Sequence, residues 1–510
     1  MSLFGVVSKR NCFEDLFYGT DYHTHRGPKY GGIAFLSDGG IDKRIKDISE
    51  TQFKGKFSEY TGRIDSKYGI GVISPKEEQP VTLDGKVGNF ALCMDGMVNN
   101  AEELASELKS KGVAFNERMK KGKHNTIEVV TNLINQGKDI VDGIEKMYAK
   151  IDGSVSLILL SQEGIYAASD RFPLFIAQKE GGWAVASETT AFPNLGYKVY
   201  KNIQPREIIK LDEKGLVQKA PGVDAKQICA FLWIYTGFPA SSYEGIRAEL
   251  ARYNCGAALA RRDNVKASFV GGIPNSGTAH AIGYANETTK MAKENVANEF
   301  EKFKRNEIDA KQLEENITST LNSVVPFVRA IVKYDPTYGR SYTPTDDNMR
   351  RQIAKKKLLP IIELLQKPDF IFTEDSIVRA TQLREYLEVL YAVAKLEGVK
   401  MGRIHVRPAC PPLMWPCKYN LSTRTMEELA ARRAIKEIEG KQIEDVSEYL
   451  NPDSEKYKQM VEIIRKELKH VASLRYQRLD DMVKAIGLPR KDLCLYCWNG
   501  EEFPVATDKD

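Results

Sequence analysis

The sequence predicts two domains of different class. An α+β domain is expected over residues 1–217 and an α/β domain with a parallel sheet over 229–475. A linker at 218–228 joins them, and a C-terminal segment follows at 476–510. Three observations carry this reading. The chain has 510 residues, too many for one ordinary core. Its first 217 residues are short apolar runs broken by turns, with two helical stretches among them, as in a layered α+β domain. From Cys229 onward, strands alternate with helices, the pattern of a parallel sheet whose ligands sit at the carboxyl ends of its strands.

Taken in order, LFGVV (3–7), GGIAFL (31–36), YGIGVI (68–73) and NFALCMDG (89–96) read as strands. The helices are NNAEELASELKSKG, with Glu102 and Glu103 near its start and Gly112 after its end, and NTIEVVTNLINQG. Strands VSLILLS, GIYAAS, GGWAVASE and EIIKLDEKG close the domain. In the second domain FLWIYTGF reads as a strand or buried run, and SYEGIRAELARYNCGAALARR as an amphipathic helix. KASFVGGIPNSGTAHAIGYANE is strand, loop and helix, and the charged stretch 288–323 is a solvated helical excursion.

Composition sets bounds. Hydrophobic content of 42% and charged content of 28% suit a soluble globular protein. A net charge of +5 spread over this length gives no argument for nucleic acid. No stretch approaches the roughly 18 apolar residues that span a bilayer, and the first residues do not read as a signal peptide. A cytoplasmic protein with no membrane partner is expected. Eight cysteines in a reducing compartment are expected to be buried, catalytic or metal-binding.

The chain is organised around PDFIFTEDSIVRATQ (368–382). An apolar run is followed by Glu374 and Asp375, then by a turn into the helical pattern LREYLEVLYAVAKLEG. A buried strand delivering acids and N–H groups to a helix start suits sugar hydroxyls, magnesium and phosphate. The local pattern equally fits an ordinary strand–turn–helix with a capping Ser or Thr.

TEDSIVRAT is similar to the phosphoribosyl-diphosphate (PRPP) loop of type I phosphoribosyltransferases, and most similar to that of the amidophosphoribosyltransferase family. The resemblance implies that Glu374 and Asp375 bind ribose hydroxyls and magnesium. Ser376, Val378, Arg379, Ala380 and Thr381 would then hold the 5′-phosphate. Glu374 replaces an Asp, Ala380 a Gly and Gln382 a Thr; Ala380 is tolerable only at negative φ. IPNSGTAHAIGYANE resembles the pyrophosphate-side loop, with Asn275 where an acid is usual and Ser276 approaching magnesium. KYDPTYGRSYTP resembles the loop that closes over PRPP, placing Lys333, Tyr338, Gly339 and Arg340 on its pattern. The C-terminal run VASLRYQRLDDMVKAIGLPRKDLCLYCWNGEEFP resembles the family's ending. The fold implied is an N-terminal-nucleophile (αββα) domain followed by a type I phosphoribosyltransferase domain.

Cys494 and Cys497 form a CxxC, which alone fits zinc or buried thiols as well as a cluster. Some family members carry a structural 4Fe–4S cluster, and its four cysteine positions match Cys229, Cys417, Cys494 and Cys497, which makes that cluster the implied cofactor beside magnesium. Cys12, Cys93, Cys255 and Cys410 read as core thiols.

LFGVV, YHTHRGPKYGGIAF, EEQPV, DGMVNNAEEL, DGSVSLILL and SDRFPLFIAQ resemble, in order, the family's class II glutaminase domain. Set against that family, its chemistry is largely missing. Met1 falls at the nucleophilic Cys and Ser2 at the following Gly. Ser74 falls where an Arg pairs with the substrate carboxylate, Asp95 at the oxyanion-hole Asn, and Thr126 at the acid that holds the amine; Gly96 survives. A carboxylate at Asp95 opposes a developing oxyanion, which needs donors. Loss of Met1 would leave Ser2 as an N-terminal hydroxyl beside an α-amino base, a workable pair displaced by one position.

The resemblance implies a transferase that displaces pyrophosphate from PRPP with ammonia, giving 5-phosphoribosylamine for purine synthesis, with its glutaminase half inactive. The alternatives are a non-catalytic paralogue that senses PRPP or nucleotides or acts as a regulatory partner of an active enzyme, and a glutamine-dependent enzyme with an unusual N-terminus. Nucleotide effectors and a homo-oligomer are implied by resemblance alone.

Overall fold

The protein was analysed as a computed structural model that describes residues 2–27, 29–116, 123–334, 358–420, 423 and 425–502. Its first domain packs two antiparallel sheets face to face. One contains β1 (Ser2–Ser8), β2 (Tyr30–Ser37), β3 (Gly40–Asp47) and β4 (Tyr68–Ser74), the other β5 (Val81–Gly85), β6 (Gly88–Val98), β7 (Gly153–Ser161) and β8 (Gly164–Ala168). The first sheet is completed by β9 (Phe175–Lys179), β10 (Gly182–Ala186) and β11 (Lys198–Asn202), in the order β11-β9-β10-β1-β4-β2-β3. The second is completed by β12 (Ile208–Asp212) and β13 (Gly215–Ala220), in the order β13-β12-β8-β7-β6-β5.

The two-residue period of the strands builds the layers. On β1, Leu3 and Val7 enter the core between the sheets, while Phe4 and Val6 face the helix Phe13–Asp21. On β7, Ile158 and Leu160 enter the same core. Leu157 and Leu159 pack instead against Ala101–Ser110, Thr126–Ile134 and Ile140–Lys150. Helix, sheet, sheet and helix therefore stack as the expected αββα domain. The ladder of β13 and β12 runs past the expected boundary: Gly215–Ala220 pairs with β12, so the strand extends into the residues assigned to the linker at 218–228.

The second domain is built on a parallel sheet of Val270–Gly272, Asp369–Glu374, Arg403–Pro408 and Val471–Leu474, in that order. Phe231–Phe238 is not a strand. Leu232–Thr236 forms a wide helical turn whose carbonyls at Trp233, Tyr235 and Gly237 accept hydrogen bonds from the buried Arg252 guanidinium. That buried cation satisfies carbonyls a strand would have given to a neighbour. The charged excursion is the hairpin of Thr278–Lys304 and Ala310–Leu321, and the second of these helices has no buried residue. The C-terminal segment returns to the start of the domain, where Ile228–Cys229 pairs in parallel with Leu493–Cys494. No helix among the described residues is long and apolar enough to cross a membrane.

Candidate functional site

The strand Asp369–Glu374 is central in its sheet and apolar at Phe370, Ile371 and Phe372, so it is buried on both faces. Its carboxyl end carries Glu374 and Asp375. Ser276, in the loop after Val270–Gly272, donates its hydroxyl to Glu374 Oε1 at 2.9 Å, and the Asp375 N–H donates to the same oxygen at 3.1 Å. Ser376 donates to Asp375 Oδ2 at 2.7 Å. Thr373 ties the two loops by donating to the Gly277 carbonyl at 2.8 Å. Gly277 has no room for a side chain, since a Cβ there would lie 2.2 Å from the Thr373 oxygen. Burial and the adjacent Asp375 carboxylate push the Glu374 carboxyl well above its ordinary range, the repulsion that a divalent cation between the two would relieve. Ser276, Glu374, Asp375 and Ser376 are thus brought together.

The turn that follows is braced from one side. Val378 accepts from the Ala430 N–H at 2.9 Å, and the Arg379 carbonyl from Arg433 at 2.9 Å. The Arg379 side chain turns to Glu428, donating through Nε at 2.9 Å. Ala380 corrects the expectation of negative φ. It adopts φ 62° and ψ −22°, buried at the start of the helix Thr381–Leu396. The turn needs a left-handed residue there, and Ala accepts a cost of about 1 kcal/mol to supply it. Lys333 ends the strand Ile331–Lys333, which pairs with Leu358–Pro360 in a separate two-stranded ribbon. Tyr338, Gly339 and Arg340 lie outside the described residues, as does Met1.

The four cysteines implied as cluster ligands share one site. Cys229 and Cys494 face each other across the parallel pair, and Cys497 hydrogen-bonds Cys417. None is in a disulfide, and Phe172, Trp415, Tyr419 and Tyr496 wall the site. The hydrogen bond from Cys497 lowers the Cys417 thiol to about 7; burial raises Cys229 and Cys494. Among the described residues, no three His, Cys, Asp or Glu gather tightly enough to hold one metal ion. Four free thiols gathered behind aromatic walls are a donor set that a multi-iron cluster could take.

The N-terminal pocket is filled by its own charges. Ser2, Ser74 and Asp95 are all buried. Asp95 Oδ2 lies 3.7 Å from Arg26, whose other nitrogen lies 3.6 Å from Glu188. Glu188 also pairs with His25 at 2.9 Å and accepts from Phe238 N–H and Ser241 of the second domain. Burial alone would raise the Glu188 carboxyl, but His25, Arg26 and His23 together hold it well below its ordinary range. Gln79 fixes the strand before Asp95 by bonding both the N–H and the carbonyl of Met94. Thr126 donates its hydroxyl to Glu77 at 2.8 Å. Gly96 keeps its glycine for a backbone reason: its φ is 134°, and a Cβ would meet the Ser154 oxygen at 1.9 Å.

Several contributors escaped the sequence. Arg252 and His280 lie buried beneath the acids, and burial followed by the Arg252 charge lowers His280 to about 4. Glu428, Arg433 and Glu188 had no local signal, because each acts across a long sequence separation. Arg26 lay inside a matched motif without an assigned partner.

Comparison with known proteins agrees with this architecture. A glutamine amidotransferase domain family matches residues 67–194. An amidophosphoribosyltransferase of Methanocaldococcus jannaschii is 26% identical, over 99% of this chain and 98% of the relative. That of Bacillus subtilis is 24% identical, over 100% and 94%. Among solved structures, the B. subtilis glutamine PRPP amidotransferase complexed with ADP and GMP superposes with a TM-score of 0.75 at 22% identity, covering 100% of this chain and 98% of that one. A structure described as the allosteric regulatory enzyme of purine biosynthesis gives a TM-score of 0.76 at 22% identity, covering 100% and 97%. The fold is an N-terminal-nucleophile glutamine amidotransferase domain followed by a phosphoribosyltransferase domain.

Proposed function

We propose that this chain, a homologue of amidophosphoribosyltransferases along its whole length, transfers ammonia to C1 of PRPP while its N-terminal domain no longer hydrolyses glutamine. The observation that carries the transferase half is the acid pair Glu374–Asp375 at the carboxyl end of the central strand, tied to Ser276 and opening onto a turn and a helix start. The carboxylates would accept the ribose hydroxyls. The turn from Ser376 to Thr381 would hold the 5′-phosphate through its N–H groups and hydroxyls. The ammonia nitrogen would form a bond to C1 as the C1–O bond breaks, the electron pair leaving with pyrophosphate and a proton passing to solvent. Lys333 and Arg340 would neutralise that leaving group, as the resemblance implies. Magnesium, held by Ser276, Glu374 and Asp375, would supply further neutralisation of pyrophosphate charge.

The ion pair of Arg26 with Asp95 is what supports a silent glutaminase. A carboxylate stands where an oxyanion needs a donor, and the nearest cation is already engaged. Ser2 lies buried in β1. Cys229, Cys417, Cys494 and Cys497 would hold a 4Fe–4S cluster with a structural role. Eight unpaired thiols suit a reducing, cytoplasmic setting. By resemblance, nucleotide effectors and a homo-oligomer belong to the same reading.

Calorimetric titration of PRPP with magnesium, followed by a pyrophosphate assay with ammonium, tests it. Binding with ammonium-dependent turnover is expected. Ala380 at positive φ favours a second reading, a PRPP sensor without catalysis, for which binding without turnover is the signature. No binding sinks both.

A further inference from the structure

We propose that Arg171, carried by the N-terminal domain, is a positioning residue for the four-cysteine centre, where its guanidinium hydrogen-bonds the Cys494 sulfur, stabilises the bound cluster and raises its reduction potential. The inference rests on the iron–sulfur reading above. Arg171 is 5% exposed, and its guanidinium carbon stands 4.0 Å above the Tyr419 ring centroid. Cys494 takes a hydrogen bond from Arg171, and the same charge reaches Cys417.

The loop that presents it is fixed by β7. The Asp170 N–H donates to Ser156 at 3.0 Å and the Arg171 N–H to Ser154 at 3.3 Å. Ser156 and Ser169 both donate to the Phe172 carbonyl, at 2.6 and 3.0 Å. Phe172 then packs beside Tyr419, Tyr496 and three of the cysteines. A loop of the first domain thus aims a cation at sulfurs supplied by the second domain and the C-terminal segment. Arg26, from the same domain, brings a second positive charge toward Cys229.

The chemistry follows from charge. Four thiolates on an oxidised 4Fe–4S core leave a net negative group, here behind aromatic walls that keep water back. An N–H···S bond from a cation withdraws electron density from sulfur and favours the more negative, reduced state. Arg171 stacked on Tyr419 could instead serve only as packing between the domains, so the test needs a readout that packing does not move.

Anaerobically purified full-length protein would be compared with Arg171→Met, which keeps the apolar stem, and Arg171→Lys, which keeps the charge. The readouts are iron content, midpoint potential by spectroelectrochemical titration, and the rate at which visible cluster absorbance is lost in air. Arg171→Met is expected to lower the potential and to speed that loss about tenfold. Arg171→Lys is expected to fall between the two. An unchanged potential and loss rate in Arg171→Met with full iron overturns the inference. If Arg171→Met does not fold or load iron, Arg171→Lys decides: values equal to the wild type overturn the inference, and intermediate values support it. Wild-type protein without iron overturns the cluster reading and this inference together, whereas intact iron with unmoved potential overturns this inference alone.

Discussion

At the end of strand Asp369–Glu374, two carboxylates lie side by side with a serine hydroxyl and no arginine or lysine bonded to either among their described partners. At the end of β6, one carboxylate, Asp95, lies against Arg26, which also faces Glu188. The first arrangement keeps two carboxyls in mutual repulsion above the buried Arg252, a repulsion that a ligand cation would relieve. The second compensates its carboxylates internally. The two sites also differ in what holds them. Glycines at both are enforced by backbone approach, Gly277 against Thr373 and Gly96 against Ser154, so both backbones keep their shape. The side chains differ in kind, which teaches that two sites can share an enforced backbone while one pairs its carboxylates with cations and the other does not.

The largest test of that contrast is Arg26→Met. It leaves Asp95 and Glu188 buried with reduced compensation and is expected to cost about 4 kcal/mol, read as a lower midpoint for the N-terminal domain in urea. An unaltered midpoint would mean that the ion network is incidental.

Acid should affect the two regions alike, because each encloses a neutral histidine. His23, in the first domain, and His280, beneath the acids of the second, are both lowered from 6.5 to about 4, chiefly by burial. The unfolded chain takes the proton first, so the stabilisation is complete above pH 6.5 and is lost as pH falls toward 4. The expected loss is about 3 kcal/mol for each histidine across that window. His23→Gln and His280→Gln should each flatten the pH dependence of unfolding in its own domain; a slope that survives both locates the acid sensitivity elsewhere.

Asp375→Asn should lower kcat/KM for PRPP about a hundredfold, near 3 kcal/mol, in a pyrophosphate assay with ammonium. Asp95→Asn should leave that rate unchanged and restore no glutamine hydrolysis. Equal responses from the two carboxylates would erase the contrast between the sites. The smallest effect belongs to Ala380→Gly. Elsewhere in an ordered segment such a change destabilises, but at φ 62° relief of the left-handed cost should raise stability by up to about 1 kcal/mol in thermal unfolding.

Much of this was legible in the sequence because it is local. The apolar run before Glu374 and Asp375 announced the strand, and the two-residue period of β1 and β7 announced the sandwich. Four cysteines far apart in sequence were matched by position, and the fold does gather them. What escaped depends on partners that periodicity does not encode. Phe231–Phe238 has strand composition, yet Arg252 captures its carbonyls in a helical turn. Ala380 itself carries no mark of positive φ, and the Gly it replaces in the resembling loop was the available hint; the turn before it is braced by Ala430 and Arg433. The expectation at Ser74, Asp95 and Thr126 came from position in the resembling motifs, which did not reveal that Arg26 would stand against Asp95.

The central claim is that the transferase site still acts and the glutaminase site does not. The direct measurement is pyrophosphate release by the purified full-length protein with PRPP and magnesium, supplied in parallel with ammonium or with glutamine. The account predicts release with ammonium, none with glutamine, and no glutamate formed. Release that requires glutamine and that ammonium cannot replace would contradict it.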